Sequence, residues 1–145
     1  MISTFTWYFL SLSGRLSRQE FWLGSIGSFA VMVVLIRTLP YLALYNQADR
    51  PWQGDQIDHT MRWSALAALV IVFWPLTVIF VKRLHDLNLS GRWLFGLLAI
   101  PLVGKAVHVP PLAIFLVAVA LIGLIPGTSG NNRFGADPLA RSGGT

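Results

Sequence analysis

From Trp63 to Val81 the chain reads WSALAALVIVFWPLTVIFV, nineteen residues without a single charge. A helix needs about 20 apolar residues to cross the ~30 Å hydrocarbon of a bilayer, so this run is the length of a membrane span. It is also bounded like one, with Trp63 at one end and Lys82 and Arg83 at the other. Pro75 lies inside it and removes one backbone hydrogen bond, which predicts a bend. Helices in lipid tolerate such a residue when neighbours satisfy the freed carbonyl.

A second apolar run has a sharper beginning. The stretch SRQE places Ser17 at a helix N-cap and Glu20 at N3, the spacing of a capping box. The helix predicted from Arg18 to Arg37 has nineteen steps, and at about 1.5 Å per step it covers roughly 28 Å. That length puts Arg37 at the far end, where its side chain reaches back to the opposite headgroups. At mid-span the same arginine would be costly and would point to function. Pro40 is expected to bend or end the helix.

The last apolar region runs from Trp93 to Ile125, too long for one straight span. Pro101, Gly104, Pro110 and Pro111 argue for breaks. Two arrangements follow: short helices over 93–107 and 111–125 as a hairpin, thinned or partly re-entrant, or one bent crossing. The distribution of Lys and Arg favours the hairpin. With four crossings, Arg15, Arg18, Lys82, Arg83, Arg92, Arg133 and Arg141 share one side, while Arg50, Arg62 and Lys105 face the other. With three crossings the counts become nearly even. All the tryptophans except Trp74 fall near predicted boundaries, as an aromatic belt requires.

Composition agrees. The 145 residues are 54% hydrophobic and 12% charged, against about 45–50% and 25% for a soluble domain. The net charge of +5 therefore points to anionic headgroups at a membrane surface rather than to nucleic acid. There are no cysteines, which excludes disulfides and thiolate zinc sites. The opening MISTFTWYFLSL has neither a basic n-region nor a cleavage site and reads as an aromatic segment lying in the interface or on the bundle. The expected fold is an all-α integral membrane bundle of about four crossing or partly re-entrant helices in one domain, 1–138. The remaining tail, 139–145, is expected to be disordered. In the four-crossing arrangement both termini are cytoplasmic.

The polar residues concentrate in VKRLHDLNLSGRW, residues 81–93. His85 and Asp86 are adjacent, and adjacent helical side chains point about 100° apart, so the pair alone is a weak metal or catalytic signal. No His-x-x-x-His or carboxylate cluster accompanies it. Asp86 is expected to accept from a neighbouring arginine or cap a turn, and His85 to sit at a helix C-terminus. Ser90 reads as an N-cap for the next helix, with Asn88 and Gly91 in the turn. The tail PGTSGNNRFGADP is glycine-rich but lacks a nucleotide-loop pattern; a structured turn and a flexible tail are equally open. No cofactor motif is present.

Three stretches, SGRLSRQEFW (13–22), VKRLHDLNLSGRW (81–93) and IPGTSGNNRFGADP (125–138), together resemble the small bacterial inner-membrane proteins of the domain of unknown function 805 family. The matching positions are Gly14, Arg15, Ser17, Arg18, Glu20, Phe21 and Trp22; then Arg83, Leu84, His85, Asp86, Ser90, Gly91 and Trp93; then Pro126, Gly127, Gly130, Asn132, Arg133, Phe134 and Gly135. Lys82 departs from the family's first Arg, Arg92 stands where an aromatic is common, and the segment between Trp93 and Pro126 is longer than usual. The resemblance implies an integral inner-membrane protein of unestablished activity, with the three motifs forming one unit. On that reading Arg15, Arg18, Glu20, Arg83, His85, Asp86, Arg92, Asn132 and Arg133 form an ion-pair or anion-binding cluster on the cytoplasmic face. It either pins loops to helix ends or holds an anionic lipid headgroup or the acidic segment of a membrane-protein partner. A small carrier or channel is the alternative, resting on Arg37, Pro75 and the broken 101–111 region. A membrane-embedded enzyme would rest on His85 and Asp86 alone.

Overall fold

The computed structural model describes residues 4–45, 54–100, 104, 106 and 108–142. Six helices are described: α1 (Thr4–Leu10), α2 (Arg18–Tyr45), α3 (Gly54–Asp86), α4 (Trp93–Leu98), α5 (Pro111–Leu124) and α6 (Pro138–Ser142). No strand occurs among the described residues. α2 and α3 are long and apolar enough to cross a membrane, spanning roughly 40 Å and 48 Å at about 1.5 Å per residue.

α2 and α3 form an antiparallel pair. Phe21 at the start of α2 meets Phe80 near the end of α3, ring centroids 5.2 Å apart at 82°. At the other end Leu39 shares a groove with His59, Thr60 and Trp63. The burial pattern of α3 shows how its surroundings change along its length. Ser64, Ala68 and Val72 are buried at four-residue intervals, one stripe facing α2, and Ser28 of α2 is buried as well. From Val78 to Leu84 every residue is buried. A helix buried all round must be covered on every side. Here α1, the start of α2, α4, α5 and the tail all close around its last two turns.

The core at that end is Leu16, Phe21, Ile79 and Phe80, with Trp7, Tyr8, Trp22, Leu94, Leu97 and Ile122 packed against it. Gly123 lets α5 approach α2, since a Cβ there would lie 2.5 Å from the Trp22 ring. The rest of α2, α3 and α5 presents large apolar side chains outward, among them Phe29, Val34, Leu69, Phe73, Leu116 and Leu121.

Several boundaries differ from the sequence expectation. α2 runs through Pro40 to Tyr45 rather than ending near Arg37. Proline's fixed φ is itself helical, and what it forbids is one bond to the carbonyl four residues back. α3 begins at Gly54, nine residues before Trp63, so Asp55 and Asp58 lie on helix and not in a loop. Asp55 is in the first turn, where a carboxylate is favoured, and extending a formed helix is far easier than nucleating one. Residues 46–53 of the expected loop lie outside the described residues.

The third expected helix, 93–107, is described only as the short α4; positions 101–103, 105 and 107 lie outside the described residues. Its N-cap is Arg92, not Ser90. Ser90 is used one turn earlier, its carbonyl accepting from Trp93 N–H at 3.1 Å. α5 matches expectation to within a residue. The tail does not begin as disordered chain at Leu139: Asp137 caps α6, its Oδ1 accepting Leu139 N–H at 2.9 Å. The Asp-Pro pair at 137–138 is the N-cap and N1 signature that marks such a start.

Candidate functional site

The polar residues converge where α3 ends. Asn88, at φ 59°, turns the chain out of the helix. Its N–H bonds to His85 O at 3.0 Å and Leu89 N–H bonds to Leu84 O at 2.8 Å, the paired closure of a Schellman motif. This leaves carbonyls at the helix end that other segments satisfy. Lys82 O accepts Leu16 N–H at 3.3 Å, and Asp86 O accepts Thr128 N–H at 2.8 Å. His85 O accepts Asn132 Nδ2 at 2.9 Å. The end of α3 is thus held by the segment before α2 and by the tail.

Asp86 is the centre. Its Oδ1 accepts Arg15 Nε–H at 3.0 Å, with Arg15 Nη2 2.9 Å away in the ion pair, and its Oδ2 accepts Arg83 Nη1–H. All three side chains are buried, Arg15 and Arg83 at 1% and 0% exposure. Arg15 uses all five of its N–H donors internally. Beyond Asp86 they reach the carbonyls of Gly130, Gly135 and Thr128 and the Thr128 hydroxyl. Arg83 Nε bonds to Ile122 O at 2.9 Å, and its Nη atoms reach Leu16 O and Ile125 O as well as Asp86. Two guanidinium groups therefore share one carboxylate, and six carbonyls carry the rest of the positive charge. The negative end of the α3 dipole adds to them.

Gly127 faces this centre. A Cβ there would sit 1.9 Å from Asp86 Oδ2, so only a glycine lets the tail pass. Thr128 follows, its hydroxyl donating to Asp86 O at 3.0 Å and accepting from Asn132 Nδ2 at 3.0 Å. Asn132 and Gly135 close a small antiparallel bridge with bonds of 3.1 Å each way. That turn lays Phe134 flat on His85, ring centroids 3.9 Å apart at 3°. His85 Nδ1 lies 3.2 Å from Gly14 O; a carbonyl only accepts, so this nitrogen carries the proton.

The expected cluster is therefore divided. Arg15, Arg83, His85, Asp86 and Asn132 come together. Arg133 is exposed and holds Asn88 O at 2.9 Å from outside while lying over Phe134. Arg18 is exposed on the rim. Glu20 belongs to the capping box and not to the cluster: its Oε2 accepts Ser17 N–H at 2.8 Å, and Ser17 Oγ accepts Glu20 N–H at 3.3 Å. Arg92 does not join; it is exposed beyond the turn, at the start of α4.

Lys82, expected as a basic residue that ends the span, is fully buried. Its ammonium donates to Trp7 O and lies 3.6 Å from the Trp7 ring centre, fastening α1 to α3. Beside it Tyr8 donates to Glu20 O, and burial, with the Glu20 carboxylate adding, raises its pKa to about 12. Sequence reasoning passed over Thr128, and it named Gly127 only as a position of the tail motif and not as part of the cluster. Among the described residues no three His, Cys, Asp or Glu side chains come together as metal ligands.

Residues 9–136 match the family model described as "Protein of unknown function (DUF805)". The chain belongs to the DUF805 family. It is 31% identical over 144 residues to Uncharacterized protein YiiR of Escherichia coli K12, covering 90% of this chain and 87% of that one. It is 27% identical over 137 residues to Inner membrane protein YhaI of the same organism, with the same coverage. No solved structure matches the chain. The three stretches that carried the DUF805 resemblance are the three that meet around Asp86.

Proposed function

We propose that this chain is a multi-pass inner-membrane protein, both termini cytoplasmic, whose cytoplasmic-face cluster is a structural lock and not a reaction centre. The observation that carries this reading is the use of Arg15: a buried guanidinium with every donor engaged by the chain's own acceptors. A catalytic or ligand-binding arginine keeps donors for its substrate. His85 is likewise committed, stacked on one side and bonded through Nδ1 on the other.

Membrane insertion is supported by the two long apolar helices, the outward apolar belt and the name of the relative YhaI. In water such a belt would exceed the few hundred Å² that soluble monomers expose. α5, with 14 residues, covers only about 20 Å. Its C-terminal end is level with Arg83, while Phe115 near its start shares an apolar slot with Phe73 and Thr77. We therefore read α2 and α3 as full crossings and α4–α5 as a shorter, partly re-entrant hairpin that returns to the starting face. The lock then ties the N-terminal segment, the end of α3 and the tail together at one membrane surface.

Single-cysteine labelling tests the topology, since the chain has no cysteine of its own. Positions 13, 89 and 129 are exposed beside the lock, and His59 is exposed at the opposite end of α3. In intact spheroplasts a membrane-impermeant maleimide is expected to label His59→Cys. Ser13→Cys, Leu89→Cys and Ser129→Cys should react only after permeabilisation. Labelling of any of these three from outside would overturn the shared cytoplasmic face.

A further inference from the structure

We propose that the groove between α1 and the first turns of α2 holds the headgroup of an aminophospholipid, its primary ammonium set against the Glu20 carboxylate among the rings of Phe5, Tyr8 and Phe9. α1 packs on α3 and meets α2 through Tyr8, whose hydroxyl donates to Glu20 O. Gly24 permits that contact, since a Cβ there would lie 2.8 Å from the Tyr8 oxygen. Between the two helices a space of about 410 Å³ stays open, within the ~300–1,000 Å³ of small-ligand sites.

The lining selects a cation. Glu20 is the one charged residue among those that line the groove. Its Oε2 accepts Ser17 N–H in the capping box, and its Oε1 has no hydrogen bond among the described residues. An ionised carboxylate only accepts, so the partner it calls for is a donor. Its charge reaches the groove wall, where it adds to the burial that raises Tyr8 to about 12. The Tyr8 hydroxyl is thus neutral and already committed to Glu20 O. Lys82, buried behind α1, is committed to Trp7 and does not line the groove. Phe5 and Phe9 stand 5.1 Å apart, and Tyr8 meets Phe9 at 4.8 Å. Aromatic rings beside a carboxylate are the setting that takes an ammonium group. A phosphate placed there would meet like charge and no free donor except the Thr4 hydroxyl.

The path of the groove makes the occupant a lipid. Residues 20, 23, 24 and 27 share one face of α2. Leu23 lines the groove and is 73% exposed. One turn on, a Cβ added to Gly27 would meet nothing within 4 Å, and Ile26 beside it is exposed. The carboxylate end therefore runs directly onto the outward apolar belt, as the head and acyl chain of one molecule require. This step rests on the proposed reading of α2 as a membrane crossing, which the cysteine labelling reads independently of lipid binding.

Purified protein in detergent is offered phosphatidylethanolamine, phosphatidylcholine and phosphatidylglycerol, and retained lipid is read by native mass spectrometry. Phosphatidylcholine carries the same charges without an N–H on its nitrogen, and phosphatidylglycerol has no ammonium. Phosphatidylethanolamine is expected to be retained over both. Glu20→Gln is the decisive variant. Gln at N3 also closes a capping box, so the melting temperature should hold while the preference falls roughly tenfold, the effect of losing a charge-assisted hydrogen bond.

Phe5→Ala removes an exposed wall without touching the cap and should weaken retention roughly two- to fivefold. It carries the test if Glu20→Gln does not accumulate. Equal retention of phosphatidylethanolamine and phosphatidylcholine by the wild type, or a preference unchanged in the folded variant, overturns the site. If His59→Cys still labels from outside, that result removes the lipid site alone and leaves the crossing and the lock standing.

Discussion

Asp86→Asn is expected to lower folding stability by about 3–5 kcal/mol, the cost of removing one partner from a buried charge network. The substitution leaves Arg15 and Arg83 buried without a counter-charge. It also turns an amide N–H₂ toward one of the two guanidinium groups, donor against donor. The melting temperature in detergent and the amount recovered in the membrane fraction both report this. His85→Ala, one residue away, should cost far less, because it removes a stacked ring and one hydrogen bond but no charge partner. A His-Asp catalytic pair would show the two substitutions abolishing an activity together while leaving stability similar.

Gly127→Ala is the second large effect. The added methyl would overlap Asp86 Oδ2, and that carboxylate has nowhere to move while two guanidinium groups hold it. The tail must give way, which breaks the Thr128 bonds to Asp86 O and withdraws the carbonyls that Arg15 uses. Overpacking typically costs about 1–3 kcal/mol, and the upper part of that range is expected. Gly130, three residues on, is the informative comparison. A Cβ there meets open space, but the residue sits at φ +73°. Gly130→Ala should therefore cost only the left-handed strain, about 1–2 kcal/mol. Proteolytic nicking of the tail should rise in both variants and more steeply in Gly127→Ala.

Much of this was legible in residue spacing. The Ser17–Glu20 capping box, the placement of α5 after Pro110 and the role of Asp86 as an acceptor for arginine all follow from local chemistry. Each depends on neighbours within a few positions or on a single obligatory pairing. What spacing did not show was direction. Lys82, Arg83 and Arg92 look alike as basic residues around a turn, yet two are buried and one faces solvent. The difference arises because α1 and the tail wrap the last turns of α3, an event of tertiary packing. The first nine residues of α3 were hidden for another reason. Asp, Gln and Thr read as a loop in isolation, whereas extending a helix already nucleated by its apolar half needs little propensity. Gly127 was visible only as one glycine among several until the position of Asp86 was known.

The central claim is that Asp86 balances two buried arginines within the chain itself. A double-mutant cycle between Arg15 and Asp86 tests it most directly. Arg15→Gln alone leaves Arg83 and Asp86 as a neutral pair and should be milder than Asp86→Asn. Added to Asp86→Asn it removes one of the two uncompensated charges. The account predicts that Arg15→Gln/Asp86→Asn melts higher than Asp86→Asn, with a coupling of about 1–3 kcal/mol. Additive losses, with the double variant the least stable of the three, would contradict it.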